Sequence, residues 1–319
     1  MKDTDIYLLA NQLGYDPSDI SPLKLEASGR VYYRLYLQND ETVILCYLDP
    51  IHGDQISFVH TSEYLAKSGI LCPRVLNHDG KIGVTIQQDI GDTSLIDIDI
   101  EKDNGGLLLD ETIRLLSKLH LAQIPQLPTL TLNDLSAQMQ MMEEMFLNKF
   151  LDITLSSQLS DIEQQALENL SQQPWMNCHF DFERRNLHAI KNDICVIDFQ
   201  DLCHGPIGID LAGIFIDHYK TYPKEIILKQ LKRYNEYIKL DVHALDTFEW
   251  LRWGGIQRGM RILGTLSKLY IETKRSFRLK DLSQILDNFI NLIPEENHTC
   301  KALLIEKVSP ALRKRMNEL

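Results

Sequence analysis

The stretch HFDFERRNLHAIKNDICVIDFQD, residues 179–201, combines two short apolar segments with polar side chains at regular positions. Asp181 and Asn186 stand five residues apart, and Asp198 follows Asn186 by twelve residues inside an apolar run. The β-prone segments 187–190 and 194–199 flank a turn-like segment at 191–193, which predicts a β-hairpin. The stretch is therefore either part of a catalytic site or an ordinary hairpin with polar residues at its ends.

The register of this hairpin predicts a metal site. If Ile190 pairs with Ile194, antiparallel pairing places Asn186 directly opposite Asp198, with Cβ atoms about 4.5–5.5 Å apart. Amide and carboxylate oxygens at that separation suit Mg²⁺, whose other positions are filled by water and substrate phosphates. A carboxylate among apolar residues is costly to bury unless it is paired or binds a metal. We therefore predict Asn186 and Asp198 as metal ligands.

Asp181 lies in the loop that leads into the hairpin. A carboxylate there can accept a proton from a hydroxyl group beside a metal-bound phosphate, which is the division of labour in phosphoryl transfer. The alternative is structural: Asn186 caps the hairpin, Asp181 caps a turn and Asp198 makes a hydrogen bond within the fold. The spacing of all three residues in one motif favours the catalytic interpretation.

The composition of the chain excludes several classes of protein. It has 319 residues and a net charge of −12, and an acidic chain is a poor candidate for nucleic-acid binding. No apolar run has the length of a membrane span, and the N-terminus lacks the apolar core of a signal peptide. The six cysteines are scattered without a C-x-x-C pair, so we expect reduced, buried thiols. These features predict a cytoplasmic protein with no membrane or nucleic-acid partner.

The pattern of elements changes along the chain. β-prone runs at 31–37 and 42–48, shorter ones at 74–76 and 84–87, and a helix at 58–68 predict an antiparallel sheet with one helix. Helical periodicity dominates after residue 91, with a long helix at 245–272. The fold class predicted is α+β with two lobes: a small β-rich lobe at 1–90 that binds nucleotide, and a larger helical lobe at 91–319 that carries the catalytic loop.

The motifs resemble those of the aminoglycoside phosphotransferase-like kinases, which have a two-lobed protein-kinase-like fold. The catalytic loop of that family has the pattern H-x-D-x-H-x-x-N and is followed by a strand ending I-D-F; here residues 179–186 read HFDFERRN and 196–199 read VIDF. The resemblance implies ATP as the phosphoryl donor, Asp181 as the catalytic base, and Asn186 and Asp198 as Mg²⁺ ligands. Glu183 replaces the second histidine of the family's loop.

The resemblance also implies a nucleotide site in the first ninety residues. A turn with Gly29 and Arg30 would cover the phosphates, and the backbone of Gln88 and Ile90 would meet the adenine edge. The run 42–48, TVILCYL, lacks the lysine that such kinases use to bind phosphate. Arg30 and Arg34, which alternate on one face of a predicted strand, either replace that lysine or are solvated.

The segments DFQD, GPIGIDLAGIF and GIQRGMRILGTLSKL resemble the branch of anomeric kinases that act on N-acetylmuramate and N-acetylglucosamine in cell-wall recycling. The resemblance implies ATP-dependent phosphorylation of the C1 hydroxyl of an amino sugar. Arg258, and next Arg261, would bind a substrate carboxylate. Asp201 is either a substrate ligand or a turn residue, and Asp210 caps a helix or braces the catalytic loop. The alternatives are a kinase for an aminoglycoside or another small alcohol, and a nucleotide-binding pseudokinase.

Overall fold

The computed structural model describes residues 3–23, 29–53, 55–98, 106–155, 158–190, 193–216 and 222–319. The strands are β1 (Pro17–Pro22), β2 (Val31–Leu37), β3 (Thr42–Tyr47), β4 (Val75–Asp79), β5 (Val84–Gln88), β6 (Trp175–Cys178), β7 (Leu187–Ile190), β8 (Asp193–Val196) and β9 (Cys203–Pro206). The helices are α1 (Asp3–Gln12), α2 (Ile56–Lys67), α3 (Leu107–Leu121), α4 (Leu132–Met141), α5 (Gln158–Ser171), α6 (Gly208–Phe215), α7 (Lys224–Ile238), α8 (Ala244–Thr273), α9 (Leu282–Leu292), α10 (His298–Leu303) and α11 (Ser309–Asn317).

The first compact unit contains residues 1–125 and 185–201. Its five-stranded sheet has the order β1-β2-β3-β5-β4, and every neighbouring pair is antiparallel. Alternation along the strands buries Leu35, Leu45 and Ile86 completely, and Ile6 of α1 belongs to the same core. The prediction of an antiparallel sheet is confirmed, with β1 as an additional edge strand; the prediction of a single helix is wrong, because α1 as well as α2 lies in the first ninety residues.

The hairpin of β7 and β8 belongs to this first unit rather than to the helical one. Leu187 accepts a hydrogen bond from Leu95, Ala189 donates to Thr93, and Val196 donates to Leu71, at 2.8, 3.0 and 2.9 Å. The unit also includes α3, so its bounds differ from the predicted nucleotide-binding lobe at 1–90, which stays a prediction. The bounds differ because the backbone of the hairpin is hydrogen-bonded to residues that lie far away in the sequence.

The second compact unit contains residues 126–184 and 202–319 and is mostly helical. The 30-residue helix α8 packs against α4, α6 and α9, and against a π-helical continuation of α4 at Met142–Phe150. Its apolar residues Ile256, Met260 and Leu263 are completely buried in the main core. The strands β6 and β9 pair as a small separate sheet that leads into the segment around Asp181.

The glycines of α8 permit close approach of backbones, as the sequence predicts. A Cβ on Gly254 would lie 2.1 Å from the carbonyl carbon of Gly208, and one on Gly264 would lie 2.5 Å from that of Met141. Because helices in contact normally keep side chains between them, these distances require glycine. α6 and α8 cross at Gly208 and Gly254, and the two helices carry Asp210 and Arg258, respectively.

All six cysteines are buried and free, which confirms the prediction of reduced thiols in apolar surroundings. Among the described residues, no helix combines the length and apolar character that a membrane crossing requires.

Candidate active site

A cavity of about 550 Å³ lies in the first compact unit. Its walls come from β1, β2 and β3, from the segment Gln88–Asp92 after β5, and from the hairpin. Small-molecule and cofactor sites commonly have volumes of about 300–1,000 Å³. Five residues predicted from the sequence line this cavity: Arg34, Gln88, Ile90, Asn186 and Asp198. Gly29 and Arg30, which precede β2, stand outside its lining.

The register of the β7–β8 hairpin differs from the predicted one by a residue. Leu187 pairs with Val196 and Ile190 with Asp193, so the prediction that Asn186 faces Asp198 is wrong. The carbonyl of Asn186 instead accepts a hydrogen bond from the amide of Ile197 at 2.9 Å. A shift of one residue exchanges the two faces of a strand, so pairing alone does not bring the two side chains together. The predicted turn residues Lys191 and Asn192 lie outside the described residues.

Asp198 reaches the cavity through a break in the strand. β8 ends at Val196, and Asp198 has a φ of +61°, a left-handed conformation that is uncommon for residues other than glycine. Phe199 stacks on Phe58 of α2, with ring centroids 4.7 Å apart, and Gln200 donates a hydrogen bond to the Asp198 carboxylate. These contacts turn Asp198 out of the ladder and hold it at the cavity.

Asn186 and Asp198 provide the hard oxygen donors that Mg²⁺ or a similar divalent ion prefers. Asn186 is 4% exposed, and both residues line the same cavity. Two protein ligands with room for water and phosphate are the usual arrangement for this ion, so the residues present fit a divalent metal.

The guanidinium of Arg34 is paired with two carboxylates in the cavity wall. It donates to Asp89 at 2.6 and 3.1 Å and to Asp92 at 2.9 and 2.8 Å. Burial opposes ionisation of Asp89, but the hydrogen bonds from Arg34 and Gly91 outweigh it and lower the pKa of Asp89. The hydrogen bonds from Arg34 likewise lower the pKa of Asp92. Arg34 therefore fastens the segment Gln88–Asp92 to β2.

The face of the sheet that carries Arg34 has neutral residues at the positions where the family resemblance implies a strand lysine. In the ladder Cys46 pairs with Tyr32 and Ile44 with Arg34. Burial raises the pKa of the Cys46 thiol to about 11, so this side chain is neutral near pH 7. Arg30 interacts electrostatically with Tyr32 and Cys46, and its buried Nε has no hydrogen-bond partner among the described residues. Arg30 is therefore a cation close to Tyr32 and Cys46 that takes no part in the pairing of Arg34 with Asp89 and Asp92.

The loop that carries Asp181 is braced by Asp210, in the second unit. The buried carboxylate of Asp210 accepts hydrogen bonds from the amides of His179 at 2.7 Å and Phe180 at 2.8 Å. Phe180 has a φ of +72°, so the loop bends sharply just before Asp181. The predicted bracing role of Asp210 is confirmed, since a carboxylate in α6 satisfies the two amides at this bend.

Two arginines of α8 bind the carboxylate of Asp181. Arg261 donates to Oδ1 at 2.8 Å and Arg258 to the same oxygen at 3.2 Å, while 36% of the Asp181 side chain stays exposed. Burial raises the pKa of Asp181, but the charges of Arg261 and Arg258 outweigh it and hold that pKa well below its usual range. Asp181 is therefore ionised at neutral pH, and its side chain is partly exposed.

The other predicted substrate ligands occupy different settings. Arg258 is 6% exposed, and its second terminal nitrogen donates to Glu183, itself 2% exposed, at 2.5 Å. Arg261 is 15% exposed, donates to the carbonyl of Phe180 at 3.0 Å and lies 4.5 Å above the Phe180 ring. Asp201 is exposed at the end of a 3₁₀ turn in the first unit. The structure thus groups Arg258 and Arg261 with Asp181.

Several residues of these sites escaped sequence reasoning. Asp89 and Asp92 are the partners of Arg34, and the only signal for them is a pair of acids on either side of Gly91. Gln55 precedes α2 and receives a hydrogen bond from Cys46. Glu183 stands out as a departure from the family's loop, but its partner is 75 residues away, and no local pattern points to it.

Comparison with known families identifies the class of protein to which this chain belongs. The family model described as "Phosphotransferase enzyme family" matches residues 19–249, which is more than half of the chain. The chain belongs to this phosphotransferase family, as the sequence motifs predict. It is therefore an ATP-dependent kinase.

Individual relatives are similar over most of their length. An N-acetylmuramate/N-acetylglucosamine kinase of Neisseria meningitidis is 24% identical over 306 residues, covering 91% of each chain. One of the same name from Pseudomonas aeruginosa is 24% identical, covering 79% of this chain and 77% of the relative. The solved structure of an amicoumacin kinase in complex with AMP-PNP, Ca²⁺ and Ami has a TM-score of 0.64 at 14% identity, covering 94% of this chain and 97% of that one. This likeness confirms the protein-kinase-like fold.

Proposed function

We propose that this chain transfers the γ-phosphoryl group of ATP to the C1 hydroxyl of an amino sugar, N-acetylmuramate or N-acetylglucosamine. The observation that carries the kinase chemistry is Asp181, a partly exposed carboxylate kept ionised by Arg258 and Arg261. The amino-sugar acceptor is supported by two relatives of that name, which match this chain over more than three quarters of its length.

In this reaction the bond between the β–γ bridging oxygen and the γ-phosphorus breaks, and the C1 oxygen forms a bond to phosphorus. Asp181 accepts a hydrogen bond from the C1 hydroxyl and orients its oxygen toward the phosphorus. Because its pKa is low, Asp181 is a weak base, and the proton moves to it late, as the new bond forms. A loose transition state makes positioning more important than early proton removal.

The cavity of the first unit is the proposed nucleotide site. The backbone of Gln88 and Ile90 would bind the adenine edge, and Asn186 and Asp198 would hold Mg²⁺, which supplies positive charge to the phosphates when it is bound. Arg30, with Gly29 in the preceding turn, is proposed to offset the remaining phosphate charge in place of the missing lysine. Arg34 would contribute by holding the segment after β5.

The acceptor side is proposed to include Arg261 and Asp201. Arg261 has 15% of its side chain exposed beside Asp181, so it can reach an oxygen of the sugar or its carboxylate. Asp201 is exposed and follows Asp198 by three residues, which suits a hydrogen bond to a sugar hydroxyl.

The test is ADP release with Mg²⁺ and ATP in the presence of N-acetylmuramate, N-acetylglucosamine, neutral hexoses and aminoglycosides. We expect turnover with the two amino sugars and loss of turnover in Asp181→Asn. ³¹P NMR should show that the product is phosphorylated at C1. Turnover with aminoglycosides alone would replace the acceptor in this proposal. Nucleotide binding without turnover on any acceptor would indicate a pseudokinase instead.

A further inference from the structure

Glu183 and Arg258 form a buried ion pair in the second unit. Their terminal atoms lie 2.5 Å apart, and the side chains are 2% and 6% exposed. Burying a lone carboxylate is strongly unfavourable, whereas a paired and hydrogen-bonded one is tolerated. The pair therefore depends on both members, and it occupies a place where an ordinary apolar contact would stabilise the fold equally well.

Arg258 connects this pair to the partly exposed carboxylate of Asp181. One terminal nitrogen binds Glu183 and the other binds Oδ1 of Asp181, so one planar group spans two carboxylates. Lysine has a single ammonium group on a flexible stem and cannot reproduce this fork. Because Glu183 fixes one arm of the guanidinium, the other arm has a defined direction toward Asp181.

The backbone around Arg258 leaves room for this arrangement. A Cβ on Gly213 of α6 would lie 2.4 Å from the carbonyl oxygen of Phe182 and 3.8 Å from Nε of Arg258. Glycine at this position thus lets α6 approach the loop between Asp181 and Glu183. The guanidinium is enclosed by α6, α8 and the loop, which leaves little exposed surface for a substrate group.

We propose that Glu183 and Arg258 are a positioning pair that orients the carboxylate of Asp181 toward the acceptor hydroxyl, and that Arg258 does not bind the substrate. This inference rests on the proposed role of Asp181. It replaces the interpretation of Arg258 as a ligand of the N-acetylmuramate carboxylate. Arg258 and Arg261 both hold Oδ1, so the acceptor approaches the exposed third of the Asp181 side chain.

The experiment compares Arg258→Gln, Arg258→Lys and the double variant Glu183→Gln with Arg258→Gln. Arg258→Gln removes the positive charge that is paired with the buried Glu183, so we expect a lower unfolding midpoint and a kcat reduced about tenfold to hundredfold. The KM for ATP should change less than about twofold, because the cavity belongs to the other unit. The double variant replaces the ion pair with two neutral amides, so its midpoint should recover toward wild type while kcat stays low.

The outcomes separate positioning from stability. A double variant that regains both midpoint and kcat would show a purely structural pair and overturn the proposal. A loss of kcat/KM with N-acetylmuramate but not with N-acetylglucosamine would restore the substrate-ligand role and also overturn it. Arg258→Lys keeps the charge without the fork, so we expect it to recover stability more than kcat. Asp281→Asn, which removes the charge of Asp281 from the partly buried Arg278–Asp281 pair, is the control and should leave kcat unchanged.

A second readout does not depend on turnover. The ¹³C carboxyl signal of Asp181, assigned by its absence in Asp181→Asn, should titrate at a higher pH in the double variant than in wild type. An unchanged titration would overturn the proposal even if no acceptor is found. Absence of wild-type turnover with every amino sugar, together with the expected titration shift, would reject the proposed function and leave the positioning pair supported.

Discussion

Arg34 on β2 and Asp89 after β5 are joined by two hydrogen bonds, of 2.6 Å from Nε and 3.1 Å from Nη2, across 55 residues of sequence. Asp92 binds the remaining side of the same guanidinium. The pairing holds the backbone on which the adenine contacts of Gln88 and Ile90 are proposed. The sequence predicts Arg34 either as a phosphate ligand or as a solvated residue. In the structure Arg34 instead shapes the cavity through these pairings.

Substitution of Arg34 by lysine should weaken nucleotide binding more than it slows the chemical step. Hydrogen bonds to charged groups contribute about 1.5–3 kcal/mol, and each 1.4 kcal/mol corresponds to about tenfold in affinity. We expect the KM for ATP to rise about tenfold or more, with kcat within about threefold. Steady-state kinetics with ATP varied will measure this. Arg74→Lys, at an exposed arginine that contacts Gln88 at 3.4 Å, is the control and should behave as wild type.

Asp198→Asn should abolish metal-dependent turnover. The substitution removes the negative charge that a divalent ion requires but keeps the size of the side chain. We expect kcat to fall at least about hundredfold, and Mg²⁺ to lose its enhancement of ATP binding in calorimetry. Asp193→Asn lies in the same hairpin at an exposed position and serves as the control. Wild-type Mg²⁺ dependence in Asp198→Asn would contradict the metal assignment.

Arg30→Ala should weaken the binding of nucleotides that carry several phosphate groups and leave the binding of the nucleoside unchanged. If Arg30 offsets phosphate charge, the variant will bind ATP and ADP more weakly by about tenfold, while adenosine binds as it does to wild type. Titration of the three ligands at constant ionic strength is the measurement. Equal weakening for adenosine would indicate damage to the cavity instead of a lost phosphate contact.

The stability of the chain should fall at acid pH through carboxylates held by arginines. The folded-state pKa of Asp89 and of Asp181 is lowered, so each contributes stability above the unfolded value of about 4. That contribution is lost as the pH falls from about 4 toward the lower folded values. We expect the difference in unfolding midpoint between wild type and Asp89→Asn to be large at pH 7 and to shrink toward pH 3. Asp16→Asn, at an exposed position, should show no such trend.

Gly254→Ala should destabilise the crossing of α6 and α8. The added methyl would lie 2.1 Å from the carbonyl carbon of Gly208, which neither backbone can accommodate without moving. Overpacking of this kind costs about 1–3 kcal/mol or more. Urea unfolding followed by circular dichroism will measure the loss. Thr265→Ala on the exposed face of the same helix is the control, and a similar loss in both variants would argue against the crossing as the cause.

Periodic patterns predicted the elements with local signals. The long helix predicted at 245–272 is α8 (Ala244–Thr273), and the run predicted at 31–37 is β2. β1 was missed because PSDISP has a proline at each end and only one large apolar residue, and it becomes a strand by pairing with β2. The helices after residue 297 were also missed. These elements depend on partners that lie far away in the sequence.

The hairpin at 187–196 shows where a correct element still gave a wrong geometry. Its strands were predicted within a few residues, but Ile190 pairs with Asp193 instead of Ile194, and this one-residue shift changes every cross-strand pair. Asn186 and Asp198 nevertheless line one cavity, because the backbone at Asp198 leaves the ladder and Phe199 packs on Phe58. The two residues therefore lie at one cavity for a different reason than the predicted register, and their role as metal ligands stays a prediction.

The sequence by itself determined the family and the fold class, and it predicted Asp181, Asn186 and Asp198 as site residues, because these depend on residue types at fixed local spacings. Only the tertiary structure decided what each arginine does. Arg34 pairs with Asp89, and Arg258 pairs with Glu183, because strand pairing and helix crossing bring together charges that stand 55 and 75 residues apart. Charge pairing in a folded chain depends on distance in space and on burial, and neither quantity can be read from a motif.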